Sequence, residues 1–489
     1  MMATEQGSAW QLERVSTGIP NLDLLLGGGL TRGGLTLVVG GPGTGKTVLA
    51  EQMAFHWASQ GQNVLWLVTL GEPNEKFLAH LSEMRFYDRR QVGATIQLVN
   101  LSRFLRRRFE EKLNAIRETV RSDTYRFVII DGFQNIRGFL RDDQEVRLFL
   151  SELGTELGLM GITLIVTTDA NPDRYWEDPQ FTMVDGIIAL SRTAANGRER
   201  RRLQILKLRG SDVVEGAHTY TISSEGVYVY PRLETVLGRG QAPQPEERLS
   251  TGLPGLDRML KGGLGEGTST LVVGPAGVGK SLLASHFLAE GIRQEEPCLA
   301  MVFFESPTRL LLRGDAFGLP LCQGRQAGLL QVWHCAPQCC EPDACGEEIW
   351  QAVESRGIRR LVIDGIEPIE RDLAASERAP AYLSALTGYL RSRGVTSLFT
   401  YDLPTLVGPA VTLPRPAIGL VAANLILMRF VATEGRLRRF LSVVETRYSA
   451  HSDAVAEVML SEGRMDVVTE LGEPERELAG AFVATRGEA

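Results

Sequence analysis

Lys46 and Thr47 close the run Gly40-Gly41-Pro42-Gly43-Thr44-Gly45-Lys46-Thr47, and Lys280 and Ser281 close Gly274-Pro275-Ala276-Gly277-Val278-Gly279-Lys280-Ser281. Residues of these types at this spacing bind phosphate. Glycines let successive backbone N–H groups wrap the oxygens, the lysine reaches the β/γ oxygens, and the hydroxyl of Thr47 or Ser281 ligates Mg²⁺. Two further residues fit the same chemistry. Phe127-Val128-Ile129-Ile130-Asp131 and Leu361-Val362-Ile363-Asp364 each end an apolar run in a carboxylate, where an acid can hold the water shell of the metal. An aspartate at a strand end is often only a turn former, but here each follows a phosphate loop in order.

The two loops lie 234 residues apart, and Ser16-Thr17-Gly18-Ile19-Pro20-Asn21-Leu22-Asp23 returns as Ser250-Thr251-Gly252-Leu253-Pro254-Gly255-Leu256-Asp257 at the same offset. The chain is therefore a tandem duplication with a period far above that of solenoid repeats. Its 489 residues suffice for two domains that each bury a full core. Residues 1–235 and 248–470 form the expected domains. Between them, Pro231–Glu247 carries three prolines, two glycines and no sustained apolar period, so 236–247 reads as a linker. The acidic, polar stretch 471–489 reads as a flexible tail, free to serve as a docking peptide or nothing.

The elements that must position these residues alternate. Strands are expected at Leu35–Val39, Val64–Thr69, Thr95–Asn100 and Arg126–Ile130. Helices are expected from Lys46 to about Ser59, around Glu75–Met84, and from Phe104 to about Val120. Such alternation gives an α/β fold with a mostly parallel sheet flanked by helices. Apolar residues at 44%, charged residues at 23% and a net charge of −7 describe a globular protein rather than a disordered or membrane one. The first residues lack the basic-then-apolar pattern of a signal peptide, which makes a cytoplasmic location the expectation. Net negative charge argues against general nucleic-acid affinity. Arg106-Arg107-Arg108 and Arg198–Arg202 are local exceptions that read as a solvated helix face or hairpin.

With both loops, the Ser-Thr-Gly-x-Pro-x-Leu-Asp lead-in followed by Gly27-Gly28-Gly29-Leu30 or Gly262-Gly263-Leu264, and Ile205-Leu206-Lys207-Leu208-Arg209-Gly210-Ser211-Asp212, the chain resembles the KaiC-like group of the RecA/RadA superfamily. The resemblance covers nearly the whole chain. It implies two tandem RecA-like P-loop domains, ATP and Mg²⁺ as cofactors, and a homo-oligomer, a hexameric double ring. It also implies that Lys207 and Arg209 form a finger acting on the nucleotide of the neighbouring subunit, where a cation offsets charge on the transferred phosphoryl group. Without the resemblance, the same segment reads as a basic edge strand.

The departures from the family pattern matter as much. The family usually carries two adjacent glutamates after its second strand, the first of them the water-orienting base. Here the segments read Val68-Thr69-Leu70-Gly71-Glu72-Pro73 and Val302-Phe303-Phe304-Glu305-Ser306-Pro307, so Gly71 and Phe304 stand in the first place and Glu72 and Glu305 in the second. One strand position reverses side-chain direction, and a base must lie within about 3 Å of its water or one bridging water away. Unless a local bulge re-aims Glu72 or Glu305, both domains bind ATP better than they cleave it. The second finger segment reads Val443-Val444-Glu445-Thr446-Arg447, with Glu445 in the lysine's place and Arg447 retained. Where the clock proteins of the family have an autophosphorylated Ser-Thr pair, this chain has Gly419 and Leu420. Thr405 and Thr412 lie upstream of that site without matching it.

Other residues carry weaker signals. Cys335, Cys339, Cys340 and Cys345 follow an expected strand at Leu329–Val332. Their irregular spacing has no answering second pair, so a thiol-rich loop explains them better than zinc. Cys298 reads as a small buried apolar residue. Thr167-Thr168-Asp169 and Thr400-Tyr401-Asp402 end strands at the ligand edge of the sheet, where they either sense the γ-phosphate or close a turn. Gln134 and Asn135 are candidates for the same sensing role. Trp176 lies in a polar loop with too few aromatic and basic neighbours to bind a nucleic-acid strand. The expected activity is slow ATP hydrolysis used as a nucleotide-dependent signal to an unidentified protein partner, the first domain hydrolysing and the second mainly binding. A DNA-dependent recombination ATPase and a serine/threonine autokinase are the alternatives.

Overall fold

Leu35-Thr-Leu-Val-Val-Gly40 is buried at every position, which a strand achieves only with helices on both faces of its sheet. The computed structural model describes residues 12–68, 79, 81–101, 109–121, 124–171, 179–195, 198–237, 247–374, 376–404, 417–433 and 436–469. They fall into two compact units, Met1–Thr235 and Val236–Ala489.

The first unit runs β1 (Leu35–Gly40), α1 (Lys46–Ser59), β2 (Val64–Val68), β3 (Ile96–Asn100), α2 (Phe109–Arg121), β4 (Phe127–Asp131), α3 (Phe133–Arg137), α4 (Asp143–Leu159), β5 (Thr163–Asp169), β6 (Gly186–Ala195), β7 (Arg198–Leu208), β8 (His218–Ser223) and β9 (Gly226–Tyr230). Its nine strands lie in the order β9-β8-β7-β6-β1-β5-β4-β2-β3. Strands β3 to β6 in that order are parallel, and β7, β8 and β9 continue the sheet antiparallel. One apolar layer packs α1 against one face, and a second packs α2 and α4 against the other.

The second unit repeats this plan with β10 (Ser269–Pro275), α5 (Lys280–Arg293), β11 (Cys298–Val302), α6 (Pro307–Ala316), β12 (Leu330–His334), α7 (Pro342–Arg356), β13 (Arg360–Asp364), α8 (Glu367–Ala374), α9 (Ala379–Ser392), β14 (Thr396–Leu403), β15 (Asn424–Thr433), β16 (Arg436–Thr446), β17 (Val455–Ser461) and β18 (Arg464–Val468). The strand order is β12-β11-β13-β14-β10-β15-β16-β17-β18. Each unit is thus a RecA-like α/β sheet with its parallel strands ending on one edge.

The duplicated lead-in has a structural reason. Asp23 accepts hydrogen bonds from the Ser16 hydroxyl (2.6 Å), the Thr17 amide (2.9 Å) and the Thr17 hydroxyl (2.7 Å). Asp257 does the same with Ser250 and Thr251 at 2.6, 2.8 and 2.7 Å. Trp57 on α1 donates to the Ser16 carbonyl at 2.7 Å and stacks on Phe127 of β4, so the lead-in is tied to the helix behind the phosphate loop.

Several expectations need adjustment. A helical turn at Leu233–Val236 with Leu233 buried occupies the start of the expected linker, and 238–246 lie outside the described residues. The expected helix around Glu75–Met84 lies mostly outside them too, as do residues 102–108, which hold the start of the helix expected from Phe104 and the Arg106–Arg108 cluster. The Arg198–Arg202 run is one arm of the β6–β7 hairpin. Strand β7 lies inside the sheet, but β8 pairs with it only at Arg202 and Leu203, so among the described residues the segment carrying Lys207 has a strand partner on its β6 side alone, as an edge does. Among the described residues, no helix is long and apolar enough to cross a membrane.

His286 of α5 is buried, and burial, with the charge of Arg293, pushes its pKa down to about 4. The unfolded chain would take up a proton near pH 6.5 that the folded unit refuses. Stability is therefore full above pH 6.5 and falls as the pH drops toward 4. We expect the second unit to lose on the order of 2 to 3 kcal/mol across that window. His286→Phe should flatten the slope of its urea midpoint against pH, and an unchanged slope would show that another group titrates there.

Candidate functional site

Gly45 is the residue before α1 and has φ 94°, a left-handed conformation in which a side chain is strained. A Cβ there would also meet the Ile222 side chain at 2.3 Å, so only glycine lets the loop turn its amides inward at the helix start. Gly279 repeats the conformation at φ 115° before α5. Each loop thus ends on a helix N-terminus, where free N–H groups and the helix dipole favour an anion.

The lysines lie where the motif requires. Lys46 Nζ donates to the carbonyls of Gly40 and Gly41, both at 2.9 Å, and lies 2.8 Å from Asp169 Oδ1. Lys280 Nζ donates to Gly274 (2.8 Å) and Pro275 (2.9 Å) and lies 2.5 Å from Asp402 Oδ1. Asp169 and Asp402 were read from sequence only as parts of strand-end triplets. In the structure they are the lysines' counter-ions, so a bound phosphate must replace one carboxylate contact at each site.

The Thr47 hydroxyl donates to both carboxylate oxygens of Asp131 at 3.2 Å, and the Ser281 hydroxyl donates to Asp364 Oδ1 at 3.0 Å. A hydroxyl and a carboxylate side by side suit Mg²⁺, which takes one or two protein oxygens and keeps its remaining ligands as water and phosphate. Thr167 donates to Asp131 at 2.5 Å and accepts from the Gly132 amide at 2.9 Å. Thr400 bridges Asp364 (2.7 Å) and the Gly365 amide (2.7 Å) in the same way. These buried threonines orient the acids, and Thr400 also lines a cleft with Lys280 and Ser281. Burial pushes Asp131 above the usual carboxylate range, against the pull of the Thr167 and Thr47 hydrogen bonds and the Lys46 charge. Glu51, one turn along α1, is pushed up to about 8 by burial and by Asp131.

The water-orienting candidates fare differently. Glu72 and Gly71 lie outside the described residues. Glu305 lines a cleft of about 170 Å³ together with Lys280, Ser281, Phe304, Asp364, Gly365, Thr400 and Asp402. Its carboxylate is gripped by Arg313 of α6, with Nη1 to Oε2 at 2.8 Å and Nη2 to Oε1 at 2.7 Å. The same guanidinium reaches Ser285 at 3.3 Å and stands 3.9 Å from Asp364. Phe304 is 62% exposed at the cleft mouth.

The finger residues sit away from the loop of their own chain. Along β1, Gly40 is level with Leu190 of β6, whereas Lys207 of β7 is level with Ile187 and hence with Leu37. That puts Lys207 about 10 Å below the loop along the strands and about 10 Å to the side. Lys207 donates to the carbonyls of Phe181 (3.3 Å) and Thr182 (3.2 Å), and Arg209 donates to Thr182 (3.2 Å). Burial, then the Arg209 charge, lowers the Lys207 pKa. A bulge between Ile187 and Ile188 leaves Leu206 unopposed just before Lys207, and the bulge between Leu425 and Ile426 does the same for Val444 before Glu445. Glu445 is therefore the positional equivalent of Lys207, and it lies 3.4 Å from Arg447 Nε. Bulges of this kind re-aim side chains at the end of a ladder.

Sequence reasoning missed Arg313, whose partner is eight residues away on the other side of a helix start, and Arg192, whose Nη1 lies beside Gly43. It also missed Tyr220, whose hydroxyl donates to the Thr44 carbonyl. The cysteines belong only partly to a loop: Cys345 lies on α7, and it and Cys340 are buried with sulfurs 4.0 Å apart. Among the described residues, no group of three or more His, Cys, Asp or Glu side chains is arranged to hold a metal. Cys298 is fully buried on β11, as expected of an apolar residue. Trp176, Thr405 and Thr412 lie outside the described residues.

Comparison with known proteins agrees with this geometry. The family model described as "ATPase: KaiC" matches twice, over residues 15–234 and 249–471. Similar proteins include the circadian clock protein KaiC3 of Synechocystis sp., 25% identical over 97% of this chain and 94% of that protein. The circadian clock oscillator proteins KaiC of Picosynechococcus sp. (25%, covering 98% and 94%) and Rippkaea orientalis (26%, covering 96% and 91%) are also similar. Two family matches on two loops with the same internal geometry lead to one conclusion: the chain belongs to the KaiC ATPase family, as a tandem-domain, KaiC-like ATP-binding protein.

Proposed function

We propose that the protein is a slow MgATPase that works as a hexameric double ring, probing a cytoplasmic protein partner with a surface set by which nucleotide is bound. One observation supports the ring: Lys207 lies about 10 Å along the strands and about 10 Å to the side of the loop of its own chain, and Arg209 lies two residues beyond it. In a head-to-tail ring they would face the loop of a neighbouring copy.

In the first domain, Gly40, Gly41, Pro42, Gly43, Thr44 and Gly45 wrap the phosphates, and Lys46 exchanges Asp169 for the β/γ oxygens. Thr47 and Asp131 hold Mg²⁺, which when bound offsets charge on the transferred phosphoryl group. Glu72 orients the attacking water, and Lys207 and Arg209 stabilise the developing charge from the adjacent subunit. In the second domain, Gly274 through Lys280 bind the phosphates, and Ser281 and Asp364 hold the metal. Glu305 and Arg447 are its catalytic candidates. Arg313 neutralises the first and Glu445 the second, so this domain mainly holds nucleotide. Gly419 and Leu420 lack the hydroxyls that a clock-type autokinase would modify.

Light scattering at micromolar protein should give a species near six chains with MgATP. A preparation that stays monomeric with MgATP refutes the ring and the trans finger together. Turnover stimulated by single-stranded DNA, with affinity collapsing as salt rises, would instead favour the recombination ATPase.

A further inference from the structure

Glu305 is held by Arg313 through one hydrogen bond and one ion-pair contact, so a carboxylate without a neighbouring guanidinium would serve the second cleft better as a base. One lies beside this cleft. Glu367, the first residue of α8, follows Asp364 by three positions. Its Oε1 accepts the backbone N–H of Asp402, the residue whose carboxylate contacts Lys280. Its Oε2 is buried and has no hydrogen-bond partner among the described residues. That oxygen and the Phe304 ring converge on the same face of Gly365: a Cβ built there would lie 2.6 Å from the ring and 3.3 Å from Oε2. Gly365 and Phe304 line the cleft together with Lys280, Ser281 and Asp364, so the unpartnered oxygen lies next to that cleft, by Gly365 and the ring.

An unpaired buried carboxylate oxygen is costly unless something uses it. We propose that Glu367 is the water-orienting base of the second domain, uncovered when the exposed Phe304 side chain swings aside. The proposal rests on the reading of this cleft as an ATP site. A water between Oε2 and the γ-phosphorus attacks in line, its oxygen forms the new P–O bond, and the bond from phosphorus to the β,γ-bridging oxygen breaks. Glu367 takes the water's proton and returns it to solvent, leaving ADP and inorganic phosphate. The first domain has Gln134 at the matching place, and its Oε1 is likewise buried without a partner among the described residues. An amide there can orient a water but cannot accept its proton. The two domains therefore differ at this position in acid–base capacity and not in shape.

The test uses the full-length Lys46→Ala chain, in which only the second site is intact, and follows phosphate release and the affinity of a fluorescent ATP analogue together. Glu367→Gln is expected to lower kcat by roughly 10²-fold, the scale of a lost general base, with affinity changed less than about twofold. Glu305→Gln should cost much less, and Phe304→Ala should raise kcat. The proposal is overturned if Glu367→Gln leaves kcat unchanged, if affinity falls in step with kcat, which marks a residue that only positions Asp402, or if the Lys46→Ala chain turns over no faster than Lys46→Ala/Lys280→Ala. Failure of the Lys46→Ala chain to bind the analogue at all would overturn the ATP-site reading itself, an outcome separate from bound nucleotide with no Glu367 effect.

Discussion

Lys46→Ala is expected to remove most of the steady-state ATP hydrolysis of the full-length protein, by on the order of 10²–10³-fold at the first site, while Lys280→Ala leaves most of it. The magnitude is that of losing one preorganised charge from the place where transition-state charge develops. The asymmetry follows from what surrounds each lysine. Both make the same loop contacts, at 2.8 to 2.9 Å, and both meet an aspartate. Only the first domain has two cations at the end of its finger strand; the second has Glu445 beside Arg447. Each finger arginine has a carboxylate nearby, Asp185 at 3.5 Å from Arg209 and Glu445 at 3.4 Å from Arg447, so what separates the domains is the second cation, Lys207, in whose place the second has Glu445. The measurement is phosphate release at equal protein and saturating Mg²⁺, with the double variant as baseline. A larger loss with Lys280→Ala would reverse the roles assigned to the two domains.

Arg209→Ala should lower turnover roughly 10³-fold, the lower end of the range for a finger acting on a phosphoryl group, with little change in MgATP affinity. Its own chain's loop keeps its contacts, because among the described residues the side chain of Arg209 bonds to Thr182 and pairs with Asp185. The sharper result comes from mixing. Neither Arg209→Ala nor Lys46→Ala rings hydrolyse alone at the first tier. A one-to-one mixture allowed to exchange subunits should regain about a quarter of the first-tier activity, since an interface works only when an intact loop meets an intact finger. A mixture as inactive as its parents, with exchange confirmed, would show that the finger does not act between subunits.

The phosphate loops, the acids that follow them and the alternation of strands and helices were legible because each is local. A glycine pattern, a hydroxyl after a lysine and an apolar run ending in aspartate survive in a linear reading, and β1, α1 and β4 begin or end within one residue of expectation. The lead-in was visible as a repeat, but its purpose, a carboxylate gathering two hydroxyls and an amide before α1, was not. The threonine-aspartate triplets were noticed for a different reason from the one the fold supplies. Thr167 and Asp131 are 36 residues apart, and only the pairing of β4 with β5 puts the hydroxyl on the acid.

By itself, then, the sequence of this protein determined that it has two phosphate-binding domains of one ancestry, with one finger segment basic and the other altered. Those properties depend on residue type and short spacing, which backbone geometry converts directly into loop and strand. Tertiary structure alone decided which charges meet. Asp169 and Asp402 reach the lysines, Arg313 takes Glu305, Glu367 Oε2 is left without a hydrogen-bond partner among the described residues, and Lys207 stands about 10 Å along the strands from its own loop. Each of those facts depends on strand order and register. Both are set by burial of apolar faces summed over a whole unit, and no short stretch of sequence contains that sum.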